Sequence, residues 1–310
     1  MNHSINTARP HIRRTLGDKT ISVVTYFVYA LFAFVCVYPF YYIFINSISA
    51  NNLSERGKII LYPMEIHFSN YQSVSKIPGL LDAAQVSVLR TVVGTILTVI
   101  VAAFLGFMFT RQTLWHRKFW YRFVVVTMYF NAGVIPWYLT MKTMGLTNNF
   151  WGYIFPTIIQ PFYIILCKTY CEATPPALQE AAEIDGAGTM RIFFSVMLPV
   201  IKPILATIAI FAAVAQWNSF QDDLLLMTNA PKLHTLQYML FQYINQVNSI
   251  KALISNTTSS SQLAASLAHA ATATSIRMTV TIVVVLPVIL VYPFFQRFFT
   301  KGIMIGAVKG

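Results

Sequence analysis

Six apolar stretches dictate what this chain can fold into. The first, Ser22 to Ile45, has no charged side chain, and the second, Thr91 to Phe109, is bracketed by Arg90 and Arg111. Phe123 to Met141, Phe150 to Leu166 and Met278 to Phe295 are runs of the same kind. The remaining one starts near Ile204. Its strongly apolar part ends around Val214, where it runs into Gln216, Trp217, Asn218, Gln221, Asp222 and Asp223. A bilayer's hydrocarbon core, about 30 Å thick, takes roughly 20 apolar residues per helix, which is the scale of these runs. Composition agrees, because charged residues make up only 10% of the chain, against roughly 25% in an ordinary globular domain.

Backbone polar groups cannot go unpaired in lipid, so each run is expected to be a helix rather than an open strand. Pro39, Pro136, Pro156, Pro161, Pro287 and Pro293 lie inside these runs or at their ends and predict kinks. The first run is longer than the apolar region of a signal peptide and no small-residue cleavage site follows it, so an uncleaved helix is expected. With the N-terminus inside the cell, fourteen of the 22 Lys and Arg residues fall on the cytoplasmic side. That excess predicts a multi-pass protein of the bacterial cell membrane with both termini cytoplasmic. The same rule accounts for the net charge of +12 without a nucleic-acid partner. Cys167 and Cys171 share a helix face, but no His lies near them in sequence, so neither a metal site nor a disulfide framework is expected.

The chain divides into a tail, residues 1–21, and one membrane domain, 22–310. Two long segments, about 46–85 and 227–275, are expected outside the cell, the second with a short helix around Leu233 to Tyr243 followed by a flexible linker. Asp222 and Asp223 are placed at the outer water boundary. The segment from Glu172 to Lys202 lies on the cytoplasmic side and is far longer than the 2–8 residues a helix connection usually takes. Thr174 is positioned to cap a helix that begins at Pro175 and Pro176. Good helix formers follow from Ala177 to Ile184, then Gly186 and Gly188 interrupt, and a second short helix is expected over 190–197 before Leu198 and Pro199. Two short helices joined at a glycine make an elbow, with Glu180 as a charge and Ala181 and Ala182 leaving room for close approach to a partner.

Glu180-Ala181-Ala182, three residues, Gly186, nine residues, and Val196-Met197-Leu198-Pro199 resemble the EAA loop of binding-protein-dependent ABC transporter permeases, with Val196 in place of Ile. Thr127 to Phe130, Gly133 to Pro136, Gly145 to Thr147, Trp217-Asn218 and the tail from Tyr292 to Gly310 resemble the carbohydrate branch of that family, the maltose-type permeases for complex oligosaccharides. The resemblance implies an all-α membrane protein with the type I importer fold: about six transmembrane helices and a cytoplasmic helix-turn-helix coupling loop, about 172–199. It also implies import of a carbohydrate by alternating access, together with a second permease, two ATPase subunits and an extracellular solute-binding protein. Glu180 would pair with a basic residue of the ATPase, Ala181 and Ala182 would line the docking face, and Gly186 would make the turn. Asp185, Leu198 and Pro199 complete the coupling set.

No Gly-x4-Gly-Lys-Ser/Thr loop occurs in the chain, so ATP and its Mg would belong to the partner ATPase, and this chain would bind no cofactor and catalyse nothing. Polar groups inside spans usually face the bundle interior or a cavity. Asn131, Gln160, Gln216, Asn218 and Gln221, with Tyr129, Trp137 and Trp217 as stacking surfaces for sugar rings, are therefore candidates for the translocation pathway. Interhelical hydrogen bonding is the competing explanation for each. A stand-alone secondary transporter or channel is the alternative function. Such proteins show internal repeats or intramembrane ion relays, and the clear spans here contain neither Asp nor Glu.

Overall fold

A computed structural model describes residues 16–255 and 273–293, and it contains no strand among them. Helix α1 (Leu16–Ser47) is 32 residues long, roughly 48 Å at 1.5 Å per residue. Its side chains are exposed along most of that length, and only at its C-terminal end do Ile45, Asn46 and Ser47 become buried. The Asn46 amide donates to the Ile59 carbonyl (3.3 Å) and accepts from the Ser54 hydroxyl (2.8 Å). These bonds tie α1 to α2 (Asn51–Glu55) and to the irregular chain that leads to α3 (Ser69–Ser75).

Helix α4 (Leu80–Met108) is the centre of the fold, and α7 (Trp151–Ile158), α8 (Pro161–Glu172) and α11 (Lys202–Asn218) pack on it. Lipid tails are as apolar as Leu, so close packing rather than water exclusion joins helices in a membrane, and small residues permit it. The buried face of α4 carries Gly94, Thr98, Ala102, Ala103 and Gly106. A Cβ at Gly106 would sit 2.4 Å from the Cys167 Cβ, and one at Gly94 would sit 2.5 Å from the Gln216 Nε2.

Among the described residues, helices α1, α4 and α14 (Ala273–Pro293) are each long and apolar enough to cross a bilayer, and two bent pairs, each taken as one span, raise the number of candidate spans to five. The expected span from Phe150 to Leu166 is one such pair: α7 and α8 meet at 46°. Gln160, the residue before Pro161, is extended (φ −112°, ψ 106°), as the proline ring requires. The other pair is α10 (Thr189–Val200) and α11, which meet at 80°. Residues Ile192–Met197 of α10 form a π-helix, just ahead of Pro199 and Pro203, whose missing N–H groups interrupt the regular ladder. The run from Phe123 to Met141 is not one continuous helix. It is divided into α5 (Arg117–Tyr129) and α6 (Val134–Thr143), because Gly133 takes φ 87° and its N–H turns to the Asn131 side chain (2.9 Å).

After α11 come α12 (Gln221–Leu226) and α13 (Leu236–Ser255). The short helix expected around Leu233 to Tyr243 therefore starts later and extends further. The expected linker after it, from Asn256 through the Ala-rich stretch, falls outside the described residues, as do residues 1–15 of the N-terminal tail and residues 294–310 of the C-terminal motif.

Candidate functional site

The elbow is built from α9 (Ala177–Ile184) and α10. Thr174 does not cap α9; its hydroxyl donates back to the Cys171 carbonyl (2.5 Å) and closes the end of α8 instead. Pro176 stands at the N-cap of α9. At the other end, Gly186 N–H donates to the Glu183 carbonyl (3.0 Å) and Ala187 N–H to the Ala182 carbonyl (2.9 Å). That bonding pattern places Gly186 at the left-handed C′ position, and its φ is +76°. A side chain there costs about 1–2 kcal/mol.

Ile192, Phe193, Met197 and Ile201 are buried with Ala103, Phe107 and Cys171. Phe193 meets the rings of Phe104 and Phe107 at 5.5 and 5.4 Å, so α10 is keyed into α4. Ala182 and Leu198 lie half-buried against the same cluster. Glu180, Ala181, Asp185 and Pro199 are exposed, and Ile184 is 87% exposed. The elbow thus has one face packed on the helices and one carrying carboxylates beside an uncovered Ile.

The candidate pathway residues separate into two groups. Tyr129, Asn131, Asn218 and Gln221 are exposed, and Gln160 is half-buried at the α7–α8 bend. Gln216 is committed within the chain: it is buried, accepts from the Arg90 Nη2 (3.1 Å) and donates to the Thr157 hydroxyl (2.7 Å). The Trp217 Nε1 donates to the Val284 carbonyl (3.0 Å) and so joins α11 to α14.

Gln216 belongs to a buried polar cluster. Arg90, 1% exposed, pairs with Asp222 at 2.5 Å, donates to the Ser219 carbonyl (3.3 Å), and stacks 4.4 Å from the centre of the Tyr153 ring. Asp223, also 1% exposed, accepts from Thr235 N–H (2.6 Å) and the Thr235 hydroxyl (2.9 Å), and its other oxygen meets the His234 Nδ1 at 2.7 Å. Burial raises the Asp223 carboxyl above the usual range, opposed by the hydrogen bonds from His234 and Thr235. Both Asp residues are thus enclosed by protein groups rather than by water. Tyr153, Thr157, His234 and Thr235 were not singled out in sequence, and Arg90 was noted only as bracketing the second apolar run. The available signal was a lone Arg opening the second apolar run and two Asp residues closing the one from Ile204, charges of opposite sign at one end of neighbouring helices.

Apolar helices long enough to cross a bilayer, packed on α4 and carrying a projecting helical elbow, define a multi-pass helical membrane protein. No family model matches the chain. It is 31% identical over 295 residues to the polygalacturonan/rhamnogalacturonan transport system permease protein YtcP of Bacillus subtilis, covering 95% of this chain and all of that one. It is 26% identical over 303 residues to the lactose transport system permease protein LacG of Rhizobium radiobacter, covering 96% of this chain and 98% of that one. A chain from the crystal structure of a bacterial ABC transporter that imports the acidic polysaccharide alginate superposes with a TM-score of 0.78 at 28% identity, over 93% of this chain and 99% of that one. The chain belongs to the carbohydrate ABC importer permeases.

Proposed function

We propose that this subunit imports an oligosaccharide together with a second permease, two ATPase subunits and an extracellular solute-binding protein, and that the elbow is where the ATPase docks. The uncovered face of α9 carries this reading: Ile184 is 87% exposed, next to Glu180, which has no ion-pair partner among the described residues. One exposed Ile alone is ordinary on a surface; beside the Glu180 carboxylate on a short helix whose sequence matches the coupling pattern, it supplies the apolar and charged contacts a docking partner takes. Glu180 pairs with a basic residue of the ATPase, Ala181 lets the two surfaces approach while the half-buried Ala182 seats the helix on α10, and Gly186 sets the angle of the turn, with Asp185, Leu198 and Pro199 shaping its exit. ATP and Mg are held by the partner. The elbow and both termini lie in the cytoplasm, consistent with the Lys and Arg distribution.

Tyr129, Asn131, Gln160, Asn218 and Gln221 line the solute path, while Gln216 and Trp217 hold its walls. One relative is named for polygalacturonan and rhamnogalacturonan and the solved neighbour for the acidic polysaccharide alginate, so oligogalacturonates are the first solutes to test. Glu180→Ala and Gly186→Val are expected to insert normally but to lose ATPase co-purification and uptake. Unchanged co-purification and uptake in both variants would remove the docking assignment. Binding of only peptides or metal ions by the cognate external receptor would remove the carbohydrate assignment.

A further inference from the structure

We infer that Arg111 is a positioning residue that fastens the coupling helix α9 to the end of α4, so that movement of α9 reaches α4 directly as well as through α10. The inference rests on the reading of α9 as the ATPase-docking helix. Arg111 lies just beyond the end of α4, and its N–H is held by the Met108 carbonyl (3.1 Å). Its side chain, 11% exposed, lies over Phe107, with the guanidinium carbon 5.8 Å from the ring centre. From there Nη1 donates to the Gln179 Oε1 (3.1 Å) and Nη2 pairs with the Glu183 Oε1.

Gln179 and Glu183 are four residues apart and share one face of α9, so a single planar fork grips two successive turns. Glu180, Ala181 and Ile184 remain exposed. An eight-residue helix is too short to persist unaided. Among the described residues, the contacts that hold α9 apart from its chain connections include the packing of Ala182 on the α10 cluster and this fork. Lys168, on α8, is paired with Glu172 (2.7 Å) and stacked on Tyr121. Arg111 therefore joins the helix that meets the motor to the helix on which the bundle is packed.

The test uses the complete importer in lipid nanodiscs, with Arg111→Ala, Arg111→Lys, Glu183→Ala and the exchanged pair Arg111→Glu/Glu183→Arg. Three quantities are read: deuterium exchange of the amides over 177–187, ATPase co-purification, and solute transported per ATP hydrolysed. ATPase co-purification is expected to persist, because the substitutions leave Glu180, Ala181 and Ile184 in place. Exchange over α9 should quicken about two- to fivefold in the alanine variants, as loss of a partly exposed ion pair dictates, and transport per ATP should fall with it. The exchanged pair should recover both, and Arg111→Lys, whose single ammonium cannot bridge two acceptors, should recover them partially. Unchanged exchange in Arg111→Ala, faster exchange with unaltered transport per ATP, or an exchanged pair no better than the single variants would each overturn the inference. Failure of the docking reading shows separately, as retained ATPase binding and uptake in Glu180→Ala while the exchange measurement still reports on the tether.

Discussion

Replacing Asp222 with Ala should be among the most destabilising single changes in the chain that leave its apolar packing intact. Arg90 is 1% exposed and loses both its 2.5 Å ion pair and a second hydrogen bond at 3.3 Å to the same carboxylate. What remains around the cation is the Gln216 oxygen at 3.1 and 3.3 Å, the Ser219 carbonyl at 3.3 Å and the face of Tyr153 at 4.4 Å. These groups carry no formal negative charge, so the guanidinium stays desolvated without a counter-ion, a loss of about 3–5 kcal/mol. Glu172→Ala breaks the partly exposed Lys168–Glu172 pair and serves as the control, with an expected loss of about 0.3–0.5 kcal/mol. The joint change Arg90→Met/Asp222→Leu removes both charges and should return stability to within about 1 kcal/mol of the parent or better. Reversible unfolding in mixed micelles of increasing SDS content reads all three. A loss for Asp222→Ala no larger than that for Glu172→Ala would refute the reasoning, as would a double variant as unstable as the single one.

Gly106→Leu should separate α4 from α8, because even a Cβ would lie 2.4 Å from the Cys167 Cβ and 3.0 Å from the Lys168 backbone nitrogen. A loss of about 1–3 kcal/mol or more is expected in the same unfolding assay, and Gly106→Ala should cost less. Trp217→Phe keeps a ring in place but removes the donor to the Val284 carbonyl, for a loss of about 1 kcal/mol. In the folded protein Cys36 lies within the membrane-crossing helix α1 and Cys167 and Cys171 are buried, so N-ethylmaleimide, which needs a thiolate in water, should add to none of them before SDS denaturation and to all three after it, as counted by mass spectrometry.

The apolar runs were legible because the bilayer imposes a length on every helix that crosses it, and each run is recovered on one helix or a pair. Their interruptions were not. Pro161 and Pro199 signalled a break, but its angle depends on what the two limbs pack against, and that is a matter of tertiary contact. The division of the third run rests on Gly133 and an Asn131 side chain that bonds locally, a choice the hydrophobic pattern alone does not reveal. In the elbow, Gly186 could be placed from its spacing because a left-handed residue closing a helix is a local event. Thr174 misled because the same hydroxyl can cap the following helix or close the preceding one. The pairing of Arg90 with Asp222 spans 132 positions, and sequence gives the two charges without their meeting.

The joint at Ile201 makes α10 and α11 into a crank. Its long limb has 17 residues, roughly 25 Å, so a rocking of the short limb by about 10° swings the distal tip sideways by roughly 4 Å. That tip carries Gln216, whose bonds to Arg90 and Thr157 link three helices at one point. Under the proposed coupling a modest stroke at the base would be magnified where the bundle's charged knot lies, and with the limbs set at 80° a push along the short limb would emerge as a sweep across the bundle.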